Sequence, residues 1–329
     1  MVFVQFVPFI VILLLANFAE RRGEPLFRVL TYLALAVINL ALIFFGVLAL
    51  GAGLVLANTQ ENVMATMPIQ PQWLPLGFWL IVTGLLSFVP FVPAVRHAIA
   101  RVLPIAPASM VNVTALVFAI YLLGMTPVQL ALLGDLENLA NLEDMLGTSE
   151  LWQQGAAFIL MGLIGVGLWI RRPADAVADR LGLAWPTLRQ WAAVIGITIG
   201  FVLLDAALAF VWLQIDPAGF ERIGRITESM FGGLMSPLGA LTIGLAAGLG
   251  EEIIFRGALQ PRFGLWLTTF LFAISHLQYG ISPAFVQVFL LGLMLGYVRI
   301  RGNLTMSIAI HTLYNTTLVA LAVLGATAT

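Results

Sequence analysis

The chain has 329 residues, of which 61% are hydrophobic and 9% charged, and its mean hydropathy is +1.02. Because soluble domains carry about a quarter charged residues, this composition excludes a water-soluble protein and predicts an all-α, polytopic helical membrane protein embedded in the lipid bilayer. All fifteen basic residues are Arg, and the net charge is −1, so there is no surplus of positive charge for binding nucleic acid. The absence of Cys excludes disulfides, thiolate metal sites and cysteine nucleophiles.

Ten stretches are long and apolar enough to cross a bilayer, which requires about 20 apolar residues. In chain order they lie near 2–19, 29–56, 73–95, 108–124, 152–170, 188–213, 237–260, 264–280, 284–300 and 303–325. With the N-terminus outside, the loops place most Arg residues inside and many acidic residues outside, as the positive-inside rule expects. We therefore expect about ten transmembrane helices with both termini outside, in a cell membrane. The lysine-free composition favours a bacterial plasma membrane.

Two of the loops have the apolar periodicity of amphipathic helices, at 130–146 and at 218–231, and we expect both to lie on the outer interface. The Arg-rich stretch 171–189 is the candidate domain boundary. It separates an N-terminal region of five helices, 1–174, from the C-terminal part, 175–329.

Pairs of glycines four residues apart occur in three of the later spans. Because such pairs let helices approach closely, each predicts a tight helix contact. The pairs are Gly196 and Gly200, Gly244 and Gly248, and Gly292 and Gly296.

Ionisable residues within the spans are concentrated in the last ninety residues, although each costs about 2.5–3.5 kcal/mol on insertion. Span seven carries Glu251, Glu252 and Arg256. Glu252 and Arg256 are four residues apart on one helical face and are predicted to form an ion pair that supports the helix. Glu251 points about 100° away, so a role as general base is the interpretation that explains its presence.

Two later spans carry histidines at a similar depth. If the chain turns at Pro261–Gly264, Glu251 lies about 15 Å from that turn and His276 about 18 Å from it, at 1.5 Å per residue. His311 and Asn315, on one face of the last span, lie about 14 and 20 Å from Gly302. The sequence therefore predicts that these four side chains meet near the middle of the membrane.

This set of residues is compatible with two kinds of chemistry. Glu251, His276 and His311 could hold Zn²⁺. Equally, Glu251 could activate water beside His276, with His311 and Asn315 stabilising an oxyanion. Asp205 in span six has no evident partner, and we expect it to form a structural hydrogen bond.

The motifs resemble those of the CPBP family of intramembrane proteases, which is also described as the CAAX prenyl protease type 2 and bacteriocin-processing group. The family motifs E-E-x-x-x-R, F-x-x-x-H and H-x-x-x-N are present here in that order. They read Glu251-Glu252 with Arg256, Phe272 with His276, and His311 with Asn315. The resemblance covers 237–325 and identifies 175–329 as a CPBP-type protease domain.

The resemblance implies an intramembrane endopeptidase that cleaves a membrane-associated protein or peptide. In it, Glu251 would activate water with His276 as its partner, and His311 and Asn315 would stabilise the oxyanion. Glu252, Arg256 and Phe272 would support the site. The family has been described both as metalloproteases and as metal-free glutamate proteases, so Zn²⁺ stays open.

Two other classes of function are compatible with the same residues. One is a non-catalytic immunity or scaffold protein that retains the site as structure. The other is a transporter, since acids and histidines at the bilayer midplane also build proton relays. Inverted repeats and broken helices would be its expected signs, and the sequence indicates neither.

Overall fold

The computed structural model describes residues 2–58, 70–141 and 146–327, and within these ranges the chain is a bundle of α-helices with no named β-strand. The helices are α1 Val7–Arg22, α2 Pro25–Asn58, α3 Trp73–Leu86, α4 Pro93–Ile99, α5 Met110–Leu133, α6 Thr148–Gly165, α7 Ala174–Leu181, α8 Leu188–Ile215, α9 Pro217–Phe231, α10 Pro237–Glu251, α11 Gln260–Ile274, α12 Pro283–Arg301 and α13 Leu304–Thr327. A π-helical segment, Glu252–Leu259, joins α10 to α11. Short 3-10 helices lie at Val2–Phe6, Val89–Phe91, Leu136–Asn141, Gly232–Leu234 and Leu277–Tyr279.

Polar caps mark where several helices begin. The hydroxyls of Ser109 and Ser236 accept hydrogen bonds from backbone N–H groups in the first turns of α5 and α10. Thr187 forms a capping box with Gln190 at the start of α8, and Asp216 caps α9. The first N–H groups of a helix have no acceptor inside their own helix, and these caps supply one. An N–H group without an acceptor costs several kcal/mol in an apolar environment.

Eight stretches of the described residues are long and apolar enough to cross a membrane, and the protein is therefore a multi-pass membrane protein. The stretch that corresponds to span five, α6, is not among the eight. Spans seven and eight form one stretch, Pro237–Ile274. The total of ten crossings and the outside location of both termini stay predictions.

The stretch Pro237–Ile274 does not run straight. Gly264 has φ +72°, a left-handed conformation that glycine adopts without strain. A straight helix would separate residues 251 and 276 by about 37 Å, whereas side-chain atoms of Glu251 and His276 lie 3.8 Å apart. The chain therefore reverses around Gly264, as the turn expected at Pro261–Gly264 requires.

Glycines allow close contacts between the helices that carry the site. A Cβ added at Gly248 of α10 would lie 3.0 Å from the backbone nitrogen of Thr312 in α13, and one at Gly250 would lie 2.9 Å from the Cα of Gly155 in α6. The tight contacts predicted at the pairs beginning with Gly244 and Gly292 are confirmed. The contact predicted at the pair beginning with Gly196 is wrong, because a Cβ there would meet nothing within 4 Å.

The two predicted amphipathic segments differ in outcome. Residues 218–231 lie within α9, whose residues Ile223 and Ile226 are buried, so this helix is confirmed. Residues 130–146 do not form one helix, since α5 continues to Leu133 and a 3-10 helix follows at Leu136–Asn141. Gly134, at φ +74°, ends α5 at that point, and residues 142–145 lie outside the described ranges.

Candidate functional site

A cavity of about 750 Å³ lies inside the helical bundle, beside the break between α11 and α12. It is lined by four residues that the sequence analysis selected: Glu251, His276, His311 and Asn315. All four residues therefore line one cavity, although 64 residues separate the first from the last. Their common depth in the membrane stays a prediction.

Glu251 and His276 face each other in this cavity. Glu251 Oε2 lies 3.8 Å from His276 Nε2, which is within ion-pair distance but too long for a direct hydrogen bond. Oε2 is buried and has no hydrogen-bond donor among the described residues. His276 Nδ1 lies 2.9 Å from the carbonyl oxygen of Phe272, which can only accept, so we assign the ring proton to Nδ1. In the neutral imidazole both facing atoms are then acceptors, and together they can bind a water molecule or another donor.

Glu252 forms a buried charge cluster with Arg256 and His311. Its Oε1 lies 3.2 Å from an Arg256 guanidinium nitrogen and accepts a hydrogen bond of 2.9 Å from His311 Nδ1. All three side chains are at most 3% exposed. The predicted pair of Glu252 and Arg256 is confirmed, and His311 is a third member that the sequence did not predict.

The Phe272 ring packs against the charged groups of the site. The Cζ atom of Arg256 lies 3.9 Å from the centroid of the Phe272 ring, a cation–π contact. The same ring lies 4.8 Å from the His276 ring and 6.0 Å from the His311 ring, centroid to centroid. Arg256 also donates a hydrogen bond of 3.2 Å to the Gly292 carbonyl. Phe272 therefore positions groups from all three motifs.

His276 does not lie within a helix, so the predicted boundary of span eight at residue 280 is wrong. α11 ends at Ile274, and His276 has φ −100° and ψ 57°. The Ser275 hydroxyl and His276 Nδ1 both donate hydrogen bonds to the Phe272 carbonyl. They compete for this carbonyl with the backbone N–H group that would bind it if the helix continued. The break leaves the imidazole on an irregular segment at the cavity.

The π-helical segment carries Glu252 and Arg256. The wider turn of such a segment changes the direction of its side chains, and π-helical segments are frequent at functional sites. No local sequence signal distinguishes this segment from the regular α-helix that the apolar pattern predicts.

A second polar cluster lines the same cavity and was only partly predicted. Asp205 Oδ1 accepts a hydrogen bond of 3.1 Å from the Tyr314 hydroxyl and another from the side-chain amide of Gln287. The structural hydrogen bond expected for Asp205 is therefore present. The sequence did not predict Gln287 and Tyr314 as members of this cluster. The signal that could have indicated them is that each carries a polar group within an apolar span. The Asn315 side chain forms no hydrogen bond to the described residues.

A zinc site does not fit the arrangement of these side chains. Glu252 accepts a hydrogen bond from the Nδ1 atom of His311. Of the histidines in the described ranges, Glu251 lies within ion-pair distance of His276 alone. Among the described residues no three His, Asp or Glu side chains are grouped so that they could hold a metal ion. We therefore derive no chemical step through a metal.

The N-terminal helices also contribute to the cavity wall. α5 supplies residues such as Met125 and Gln129, α6 supplies Gln154 and Phe158, and the N-terminal segment supplies Phe6. The predicted N-terminal region 1–174 thus lines the same cavity as the motif residues. The boundary at 174 itself stays a prediction.

The fold and the cavity define a polytopic membrane protein with a polar site inside its bundle. A family model described as type II CAAX prenyl endopeptidase, Rce1-like, matches residues 233–317, which include all three motifs. The chain belongs to this family, in agreement with the resemblance to the CPBP proteases.

Two curated relatives have no described function. An uncharacterized 24.3 kDa protein of Escherichia coli is 31% identical over 170 residues, which cover 46% of this chain and 72% of the relative. The uncharacterized protein YpbD of Bacillus subtilis is 31% identical over 123 residues, covering 35% of this chain and 61%, less than two thirds, of that protein. No solved structure matches the chain significantly.

Proposed function

We propose that this protein is an endopeptidase that hydrolyses a peptide bond of a membrane-associated protein or peptide, with Glu251 activating the attacking water. One observation carries the proposal. Glu251 Oε2 is buried, has no hydrogen-bond donor in the described part of the chain and lies 3.8 Å from His276 Nε2, in a cavity inside the membrane protein. An unsatisfied buried carboxylate oxygen is costly unless it has a use.

The reaction begins with a water molecule bound between Glu251 and His276. Glu251 takes a proton from the water as its oxygen forms a bond with the substrate carbonyl carbon. Glu251 then gives the proton to the leaving nitrogen as the carbon–nitrogen bond breaks. His276 orients the water through Nε2, because its Nδ1 proton is engaged by the Phe272 carbonyl.

His311 and Asn315 stabilise the oxyanion of the tetrahedral intermediate. The Asn315 amide has no other hydrogen bond among the described residues. His311 already donates from Nδ1 to Glu252, so its Nε2 is the atom left for the cavity. Donation from Nε2 as well as Nδ1 requires the imidazolium form of His311 in the tetrahedral intermediate. Glu252, which is held by Arg256, accepts the hydrogen bond from Nδ1 and fixes the orientation of the ring.

The substrate enters a cavity built from both halves of the chain. A volume of about 750 Å³ lies in the range of cavities that enclose a small ligand, about 300–1,000 Å³. We propose that 175–329 is the protease domain and that α5 and α6 of the N-terminal region shape the substrate-binding wall.

Comparative membrane proteomics tests the proposal in cells. Strains that carry the wild type, Glu251→Gln or the control Glu221→Gln are compared for juxtamembrane and C-terminal peptide fragments. Glu221 lies on the exposed face of α9, so the control makes the same chemical change away from the cavity. We expect a set of fragments in the wild type and control that is missing in Glu251→Gln.

Identical fragments in all three strains, at equal protein abundance, would contradict the proposal. A non-catalytic immunity or scaffold protein predicts that outcome, together with an unchanged cellular phenotype in Glu251→Gln and His276→Ala.

A further inference from the structure

Five arginines from separate parts of the chain converge at the end of the bundle predicted to face inside, and we name them the arginine cluster. Its members are Arg171, Arg172, Arg180, Arg262 and Arg299. Burial and then the positive charges of the four others lower the pKa of Arg180 to about 10. All five side chains are half-buried rather than extended into solvent.

Direct contacts fix two members around α7. Arg180 donates a hydrogen bond of 3.2 Å to the carbonyl of Gly257 in the π-helical segment. The guanidinium of Arg299 lies against Gly182, where an added Cβ would be 2.3 Å from its Cζ atom. Gly182 ends α7 two residues after Arg180, so both arginines contact the chain near the end of α7.

The positive charge of the arginine cluster is poorly compensated. One carboxylate, Glu20, forms an ion pair with it in the described ranges, at 3.6 Å from Arg171. The acids of α7 itself, Asp175 and Asp179, are exposed and pair with none of the described residues. The Nε of Arg299 is buried and has no hydrogen-bond acceptor within the described ranges. Like charges held together in a half-buried position repel strongly, so the arrangement requires an anion.

The surroundings of the arginine cluster are those of a membrane interface. Trp169 and Trp185 are 78% and 85% exposed, and Leu188 is 87% exposed. Exposed tryptophans are typical of the headgroup level of a bilayer. Trp169 also has φ +55°, a costly conformation for a large side chain, and its turn presents Arg171 and Arg172.

We propose that the arginine cluster is a binding site for a phosphate group, and that the phosphate is that of an anionic lipid headgroup. Guanidinium groups match the geometry of phosphate oxygens through paired N–H donors. The flanking tryptophans favour a lipid over a free ion. This site is separate from the cavity of the motif residues. The proposal therefore does not depend on whether the protein is a protease.

Native mass spectrometry of the purified full chain tests this site. The protein is incubated with phosphatidylglycerol and phosphatidylcholine in equal amounts, and in a separate arm with inorganic phosphate. The test variant is Arg262→Gln with Arg299→Gln, because neither side chain donates a hydrogen bond within the described part of the chain. The matched control is Arg101→Gln with Arg189→Gln, two exposed arginines outside the arginine cluster.

We expect the wild type and the control to retain phosphatidylglycerol in preference to phosphatidylcholine. The test variant should lose about fivefold in affinity per arginine, or about 25-fold in all. The charge-preserving variant Arg262→Lys with Arg299→Lys should bind more tightly than the glutamine variant and less tightly than the wild type, because lysine keeps the charge but not the paired N–H donors. This variant separates loss of charge from loss of fold.

Equal retention of the two lipids by the wild type would overturn the proposal, and this result does not depend on any variant. Equal losses in the test and control variants would also overturn it. Binding of inorganic phosphate as tight as that of the lipid would overturn the assignment to a lipid headgroup.

Discussion

Glu252→Gln should destabilise the protein more than any other single conservative change in the site. Glu252 is fully buried, and its Oε1 contacts Arg256 at 3.2 Å and His311 at 2.9 Å. The neutral amide can still accept a hydrogen bond from His311, but it leaves the buried Arg256 charge without a counter-ion. Removing one partner of a buried ion pair costs about 3–5 kcal/mol.

The assay is equilibrium unfolding of the purified protein in mixed detergent micelles, with Glu221→Gln as the exposed control. The double variant Glu252→Gln with Arg256→Gln removes both charges, and replacing a whole buried pair is often nearly neutral. We therefore expect the double variant to lose less than Glu252→Gln alone.

The result that would refute this reasoning is a loss below about 1 kcal/mol for Glu252→Gln, together with additive effects in the double variant. Such a result would mean that Glu252 and Arg256 do not depend on each other in the folded protein.

Three further outcomes follow from the site. Gly292→Ala should lower catalytic turnover about 100-fold and stability by about 1–3 kcal/mol, because the new Cβ would lie 2.9 Å from the buried Phe272 ring. Gly196→Ala is the control, because the added Cβ has no neighbour within 4 Å among the described residues, and it should leave turnover unchanged. Equal turnover of Gly292→Ala and Gly196→Ala would contradict the packing argument. Tyr314→Phe should cost about 1 kcal/mol of unfolding free energy, since it removes one donor to Asp205, and an unchanged free energy would show that this bond is not formed. Dialysis against a chelator should leave cleavage of a peptide substrate intact, and a loss restored by Zn²⁺ alone would contradict the metal-free mechanism.

The sequence predicted those features that depend on position along the chain. Glycine and proline marked the reversal at Gly264, and counting residues from it placed Glu251 and His276 at one depth. The spacing of four between Glu252 and Arg256 predicted their pairing, because side chains four residues apart share a helical face.

Features that depend on how helices rotate against one another were not predicted. His311 pairs with Glu252, 59 residues away, and Asp205 binds Tyr314, 109 residues away. Hydropathy assigns a depth to each residue but not the direction that it faces, so such partners cannot be chosen from the sequence of one chain. The end of α11 at Ile274 was missed because side chains of Ser275 and His276, rather than a proline or glycine, terminate it.

The central claim is that Glu251 activates the attacking water, and the rate of cleavage of a purified substrate tests it most directly. The substrate is a membrane-anchored peptide that spans a cleavage site identified by proteomics, and turnover is compared among the wild type, Glu251→Gln and Glu221→Gln. Loss of a general base predicts a fall of about 10²–10⁴-fold for Glu251→Gln, with no change for Glu221→Gln and no loss of folding stability. Cleavage by folded Glu251→Gln at the wild-type rate would contradict the claim.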